Sequence, residues 1–479
     1  MVHILPELDP SGATALSEQV ARFYASAIED GRVLVGERLP PIREVATACK
    51  VTRATVQEAY RRLADLGLVE GTVGRGTIVL AVGGAVADPK GRSLSPYAEA
   101  ALRRTRAMRG APSLPDAQQL VANFAELAPD DARFPIDEWR AAMDSVLETR
   151  GRELLGERSR ESDPELSADS LLVTAGAQQA LDLVLRTVCS PGDTVVVTTP
   201  SYHHMHGLLR AHGLQVVQVP FGPDGLDHAH LQRVLSRPSV RLCYLMPTFH
   251  NPTGRSLNLA QRQQLTATLA DTDVAVVEDE YQHSLRCRGD ALPTLRSMDA
   301  RGLTVTVSTV SKDLFPALRI GWVAGSEHML EPMAAVKRFM DLETSPLLQA
   351  ALAEFMRRGG YDRHLRSLRV ELQKRHLALQ SACAEHLPEG CRITNPDGGF
   401  VAWLEMPGKG QGDQLAELAV ERGVRVVPGR AFDLDGAASP GVRLSLTRAS
   451  VDQIHQGVRV LADCARELLQ VHAPAQTFL

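Results

Sequence analysis

From about residue 134 onward, short apolar runs alternate with helical stretches, and no other feature restricts the fold as strongly. The runs lie at 171–174, 194–199, 214–219, 240–246, 274–278, 303–309 and 319–324. This β-α alternation predicts an α/β body: a mostly parallel sheet with helices on its faces. From about 345 the pattern becomes a long helix and then a small α/β part, with strands near 400–405, 424–427 and 442–446. At 479 residues the chain exceeds one compact core, so two or three domains are expected.

A different unit precedes this body, over residues 13–80. Leu16, Val20, Phe23 and Ile28 recur at roughly helical spacing. Pro40 and Pro41 suit a turn into a helix start, and Ile42–Lys50 reads as a short helix. Thr52 then serves as N-cap for a helix carrying Val56, Tyr60, Leu63 and Leu66, which Gly67 ends. Residues 68–71 and 76–80 read as two short strands joined through Gly74, a β-hairpin. Residues 81–133, rich in Ala, Gly, Pro and Asp, read as a linker with one helix near 95–109.

Composition narrows the class. The net charge is −5, so the chain is no polycation, but residues 38–75 and 90–109 are locally basic. The seven cysteines contain no C-x-x-C pair, which argues for a reducing cytosol and against disulfides or a structural zinc. No apolar run is long enough to span a membrane and no signal core is present, so a cytoplasmic protein is expected.

Two sets of residues carry chemistry. In the first unit, Thr52, Arg53 and Thr55 open the second helix of a helix-turn-helix, where side chains and backbone N–H groups meet phosphates or base edges. The body carries Val307–Gly321, in which a β-branched strand ends in hydroxyl residues, then Lys312, then Arg319. That layout suits pyridoxal 5'-phosphate (PLP): Lys312 for the Schiff base, Thr309 and Arg319 for the phosphate. Around it, Gly176, Ala177 and Gln178 open a helix whose N–H groups suit a phosphate. Tyr202 suits stacking on a pyridine ring, and Asn251 and Tyr281 suit its phenolic oxygen. Asp279 suits the protonated ring nitrogen. All follow predicted strands, at the ends where open α/β sheets bind ligands. The three histidines of Tyr202-His203-His204-Met205-His206 could bind a metal or meet an anionic effector; the preferred reading is a helix start in which some line the pocket and others face solvent, and no metal is expected.

The first unit resembles the winged-helix regulators of the GntR family in Leu39-Pro40-Pro41-Ile42-Arg43, Val51–Val56, Ala59-Tyr60, Gly67-Leu68-Val69 and Gly74–Thr77. The resemblance implies that Arg43, Arg53 and Thr55 contact double-stranded DNA, with Gly74 in the wing. Residues 134–479 resemble fold-type I aminotransferases, which implies a seven-stranded large domain, a small C-terminal domain and PLP as cofactor. By that likeness Ala177, Gln178, Thr309 and Arg319 hold the phosphate, Tyr202 stacks, and Asn251 and Tyr281 touch the phenolic oxygen. Asp279 pairs with the ring nitrogen, Lys312 is the Schiff-base lysine and Arg443 takes a substrate carboxylate, with Arg430 a weaker candidate. The combination resembles the MocR/GabR subfamily of regulators. Two departures stand out: the Tyr-Gly-x-x-x-Gly segment usual before Gly176 is absent from 147–158, and Phe249-His250-Asn251-Pro252 is closer to the enzymes than to the regulators.

The expected function is a PLP-dependent DNA-binding transcriptional regulator that senses PLP, or an amino compound as its PLP aldimine. The alternative is an aminotransferase acting on an amino acid, with the winged helix secondary. The family likeness implies a homodimer, and a two-fold dimer favours an operator with repeated half-sites.

Overall fold

The computed structural model describes residues 5–6, 8, 15–29, 33, 37–65, 68–72, 76–79, 95, 97–99, 102, 120–155 and 171–471. The chain divides into two compact units, Met1–Ala107 and Met108–Leu479.

In the first unit α1 (Leu16–Glu29), α2 (Ile42–Ala48) and α3 (Arg53–Asp65) precede an antiparallel hairpin of β1 (Val69–Thr72) and β2 (Gly76–Val79). The second edge of β2 takes residues 37–39: Leu39 N donates to Thr77 O and Val79 N to Glu37 O, both at 2.9 Å. Val20, Tyr24, Val45, Val56, Ala59 and Leu63 meet in a single core. Tyr60 stands edge-on to Tyr24 and donates to Pro40 O at 2.7 Å. That bond ties the Pro40-Pro41 turn to α3, so the angle between α2 and α3 is set from inside the core. Gly74 lies outside the described residues.

The second unit opens with β3 (Ala122–Asn123) and α4 (Ile136–Leu155). Next come β4 (Leu171–Thr174), α5 (Ala177–Val188), β5 (Thr194–Thr199), α6 (His203–Ala211), β6 (Gln215–Gly222) and β7 (Gly225–Leu226). They are followed by α7 (His228–Leu235), β8 (Val240–Leu245), α8 (Leu259–Leu269), β9 (Ala275–Asp279), α9 (Leu295–Met298), β10 (Thr304–Thr309) and β11 (Gly321–Ala324). The strands form an eight-stranded sheet ordered β4-β11-β10-β9-β8-β5-β6-β7. Its centre, from β10 to β6, is parallel; β11 runs antiparallel to β10 and β4. The eighth strand, beyond the seven expected, arises because β6 doubles back into β7. Both faces are buried, as a parallel sheet requires. Val195 and Val197 of β5 enter one core and Val196 the other.

β11 starts at Gly321 rather than at 319, because Arg319 ends a short 3-10 turn in the left-handed conformation (φ 51°). A helical region follows: α10 (Glu327–Asp341), α11 (Pro346–Arg357) and α12 (Gly360–His386). The small domain comprises β12 (Arg392–Ile393), β13 (Val401–Glu405), α13 (Gln411–Glu421), β14 (Val424–Arg425), β15 (Val427–Pro428), β16 (Gly441–Ser445) and α14 (Val451–Val471). Its main sheet is ordered β12-β13-β16-β15.

The linker expected over 81–133 ends earlier than its composition suggests. From Val121 the chain is built into the small domain: β3 pairs parallel with β14, and Phe124 O accepts from Ser445 N at 2.8 Å. Phe124 is fully buried against Gly457, where a Cβ would come within 2.6 Å of its ring. A two-residue strand is too short to register as periodicity.

Beneath the carboxyl end of β9 lies a buried charge cluster. Arg262 of α8, 1% exposed, donates to Leu257 O, Pro293 O, Pro247 O and Thr248 Oγ1 at 2.7–3.1 Å. It stands 3.7 Å from Glu278 and 3.9 Å from Glu280. Burial and the neighbouring Glu278 push the Glu280 carboxyl up to about 8, which favours its neutral form near neutrality and leaves Arg262 to balance the charge on Glu278. Arg262→Met is expected to destabilise the body by about 3–5 kcal/mol, the cost of breaking a buried pair. Urea unfolding of the variant measures it; a change below about 1 kcal/mol would assign the cluster no structural weight.

Candidate functional site

Five strand ends, those of β4, β5, β8, β9 and β10, converge on one cavity of about 160 Å³. Its walls include Ala177, Gln178, Tyr202, Asn251, Asp279, Tyr281, Thr309, Lys312 and Arg319. All nine pocket residues expected from the sequence thus meet in one place. Leu127, Leu181, Met246 and Ser311 line it as well and were not singled out. Leu127 was missed because its segment reads as linker; the others, because an apolar or hydroxyl residue gives no signal of its own.

At one end sits the β4–α5 turn. Gly176 caps α5 at φ 88°, and a Cβ there would lie 2.5 Å from Arg319 Nη2. Arg319 donates to Ala175 O at 2.9 Å. Gly321 is equally constrained, since a Cβ would come within 2.7 Å of Ala177 N. Glycine at both positions lets the α5 N-terminus, with its unpaired N–H groups, lie beside a guanidinium: a cradle for a phosphate. Thr309 Oγ1 donates to Ile320 O at 2.8 Å and so closes the lysine loop against β11.

At the other end, Asp279 closes β9. Tyr244 donates to its Oδ2 at 2.6 Å, while Oδ1 is buried without a hydrogen-bond partner. Burial pushes this carboxyl up to about 6. A buried carboxylate oxygen facing a cavity calls for a cationic N–H. Lys312 Nζ donates to Leu127 O at 2.8 Å; burial first, then the charges of Arg443 and Arg319, lowers its pKa to about 8. A useful fraction of its amine is therefore neutral and nucleophilic near pH 7. Tyr281 donates to Phe249 O at 3.3 Å, next to the Asn251 turn. Donor set, acceptor and nucleophile fit a phosphorylated pyridine aldehyde.

Arg443 of β16 is not in the cavity wall but borders it. Its Nη1 reaches Asn251 Oδ1 at 3.4 Å, its Nη2 donates to Ala125 O at 2.8 Å, and its buried Nε has no partner. The weaker candidate Arg430 is exposed and paired with Glu417. His203 starts α6 as expected, but none of the three histidines lines the cavity: His204 is exposed and His206 buried.

In the first unit, Thr52 caps α3: its Oγ1 accepts from Thr55 N at 3.2 Å and lies 2.9 Å from Thr55 Oγ1. Arg43, Thr52 and Arg53 are exposed and Thr55 half-buried, so the N-terminal end of α3 presents a polar, basic surface.

The family described as aminotransferase class I and II matches residues 142–461, and bacterial regulatory proteins of the gntR family match residues 16–79. An aromatic-amino-acid aminotransferase of Thermococcus litoralis is 30% identical over 72% of this chain and 88% of its own. The HTH-type transcriptional regulator YdfD of Bacillus subtilis is 27% identical over 94% of this chain and 96% of its own. Among solved structures, the α-aminoadipate aminotransferase LysN of Thermus thermophilus, complexed with N-(5'-phosphopyridoxyl)-L-leucine, matches with a TM-score of 0.66 at 28% identity, over 77% of this chain and 98% of its own. Among the described residues no helix is long and apolar enough to cross a membrane.

The Asp279 shift makes a pH prediction for the cofactor-free protein. The folded pKa, about 6, lies above the ordinary 3.8, so the folded state binds this proton more tightly than the unfolded one. Stability from this group is complete below pH 3.8 and is lost as pH rises through 6. Asp279→Asn is therefore expected to be the more stable protein above pH 6, by up to about 3 kcal/mol, with no gain near pH 4. Urea midpoints across that range check it; a pH-independent difference would contradict the assignment.

Proposed function

Because the chain belongs to the aminotransferase class I and II family and carries a gntR-type head, as HTH-type regulators do over nearly its whole length, we propose that it is a PLP-dependent transcriptional regulator. The observation that supports this most is the convergence of Lys312, Asp279 and Arg319 on one cavity in a chain with a capped helix-turn-helix. When bound, PLP supplies an electrophilic carbonyl and an electron sink. Lys312 supplies the nucleophilic amine. Asp279, through its unpartnered Oδ1, would accept from the ring nitrogen, and Tyr202 would cover the ring. Ala177, Gln178, Thr309 and Arg319 would hold the phosphate, and Asn251 and Tyr281 would orient the phenolic oxygen. Arg443 forks the carboxylate of an amino compound.

The body forms a homodimer, and two heads then read an operator with repeated half-sites, through Arg43, Thr52, Arg53 and Thr55. The signal is PLP or an amino compound bound with it, and it acts through unequal affinity for two DNA-binding states. Aminotransferase turnover is the second reading, favoured by Asn251 in its Phe-His-Asn-Pro turn and by the enzyme relatives.

Purified protein with PLP is expected to show a near-visible absorbance band that borohydride fixes covalently, and Lys312→Ala to lose it. The same spectrum in the variant would overturn the assignment of Lys312. Arg53→Ala is expected to weaken operator binding by about 1–3 kcal/mol if it reads a base edge. A fluorescence anisotropy titration with operator and scrambled duplexes measures this, and unchanged affinity for both would remove Arg53 from the interface.

A further inference from the structure

Residues Phe124–Pro129 run beside the pocket as irregular backbone, and their carbonyls are held by the body at nearly every position. Phe124 O accepts from Ser445 N at 2.8 Å, Ala125 O from Arg443 at 2.8 Å and Glu126 O from Thr447 Oγ1 at 2.8 Å. Leu127 O accepts from Lys312 at 2.8 Å, and Pro129 O from Arg448 at 3.3 Å. The Leu127 side chain packs against both the large-domain and small-domain cores and also lines the cavity.

Two of these five donors, Lys312 and Arg443, are the groups on which ligand recognition depends. The other three come from Ser445, Thr447 and Arg448; of the five donor residues only Lys312 lines the cavity wall, and Arg443 borders it through Asn251. In sequence, the same segment is where the chain coming from the DNA-binding head enters the body. We infer that Phe124–Pro129 is a strap that relays pocket occupancy to the head. A ligand engaging Lys312 or Arg443 competes with Leu127 O or Ala125 O, so occupancy loosens the strap while Ser445, Thr447 and Arg448 keep it near the body. This rests on the cofactor and DNA reading proposed above. A differential hold on one segment supplies the unequal ligand affinity that coupling between two sites requires.

Hydrogen–deuterium exchange of the full-length protein, with and without PLP, tests the relay alongside absorbance and operator binding. Saturating PLP is expected to speed exchange at residues 121–130 about fivefold to tenfold, the factor set by losing roughly one hydrogen bond. Thr447→Val removes an anchor without touching the pocket. It is expected to loosen the strap by a similar factor in the absence of PLP, to keep the PLP band, and to shift operator affinity toward that of the PLP-loaded protein. Arg448→Ala, which also loses the 3.4 Å ion pair with Glu126, gives the same readout from a more exposed position should Thr447→Val fail to fold. If no PLP band or no operator binding is found, the functional reading falls and the relay with it. A PLP band and PLP-responsive operator binding with unchanged strap exchange would overturn the relay alone. So would a loosened strap in either variant that leaves operator affinity as it was.

Discussion

The Arg262 cluster anchors the pocket. Glu278 and Glu280 flank Asp279 on β9, and the guanidinium beneath them is held by three carbonyls and a hydroxyl. Glu278 also accepts from the N–H groups of Leu295 and Arg296, which open α9. With both neighbours immobilised, the Asp279 carboxyl enters the cavity at a fixed depth, with one oxygen on Tyr244 and one open. Three acids in succession at a strand end would repel if ionised together; a Glu280 carboxyl held neutral by burial and one arginine make the arrangement tenable.

Close backbone approach sets the opposite wall. Gly176 and Gly321 bring the start of α5 against β11, and Arg319 takes a left-handed conformation that turns its guanidinium back over the β4–α5 turn. Phe249 is also left-handed (φ 49°), an uncommon conformation for a bulky residue, and it lies against Gly398 and Gly399. Packing around it over-determines the strain. The result is an Asn251 turn aimed at the cavity and braced by the small domain.

A ligand that merely fills such a pocket transmits nothing; it must hold one conformation more tightly than another. Here Lys312 and Arg443 are already bonded to the chain's own carbonyls, those of Leu127 and Ala125. The body therefore combines a rigid floor, made by β9 and the charge beneath it, with a tethered segment whose bonds compete with a ligand.

Much of this was legible in the order of residues. The alternation of apolar runs yields the parallel sheet, since strands buried on both faces lack a polar side. Gly176, Asn251, Asp279 and Lys312 follow strands, and strand ends on one side of a sheet are neighbours, so nine site residues read one by one fall in one cavity. The helix-turn-helix announced itself through Pro40-Pro41, Thr52 and the spacing of Val56, Tyr60 and Leu63. What tertiary structure alone decided are contacts made by backbone: the docking of residues 121–129, the left-handed turn at Arg319, and Leu127 in the cavity wall. Side chains carry their chemistry in the sequence, but a carbonyl is the same on every residue, and only the folded chain determines which donor it meets.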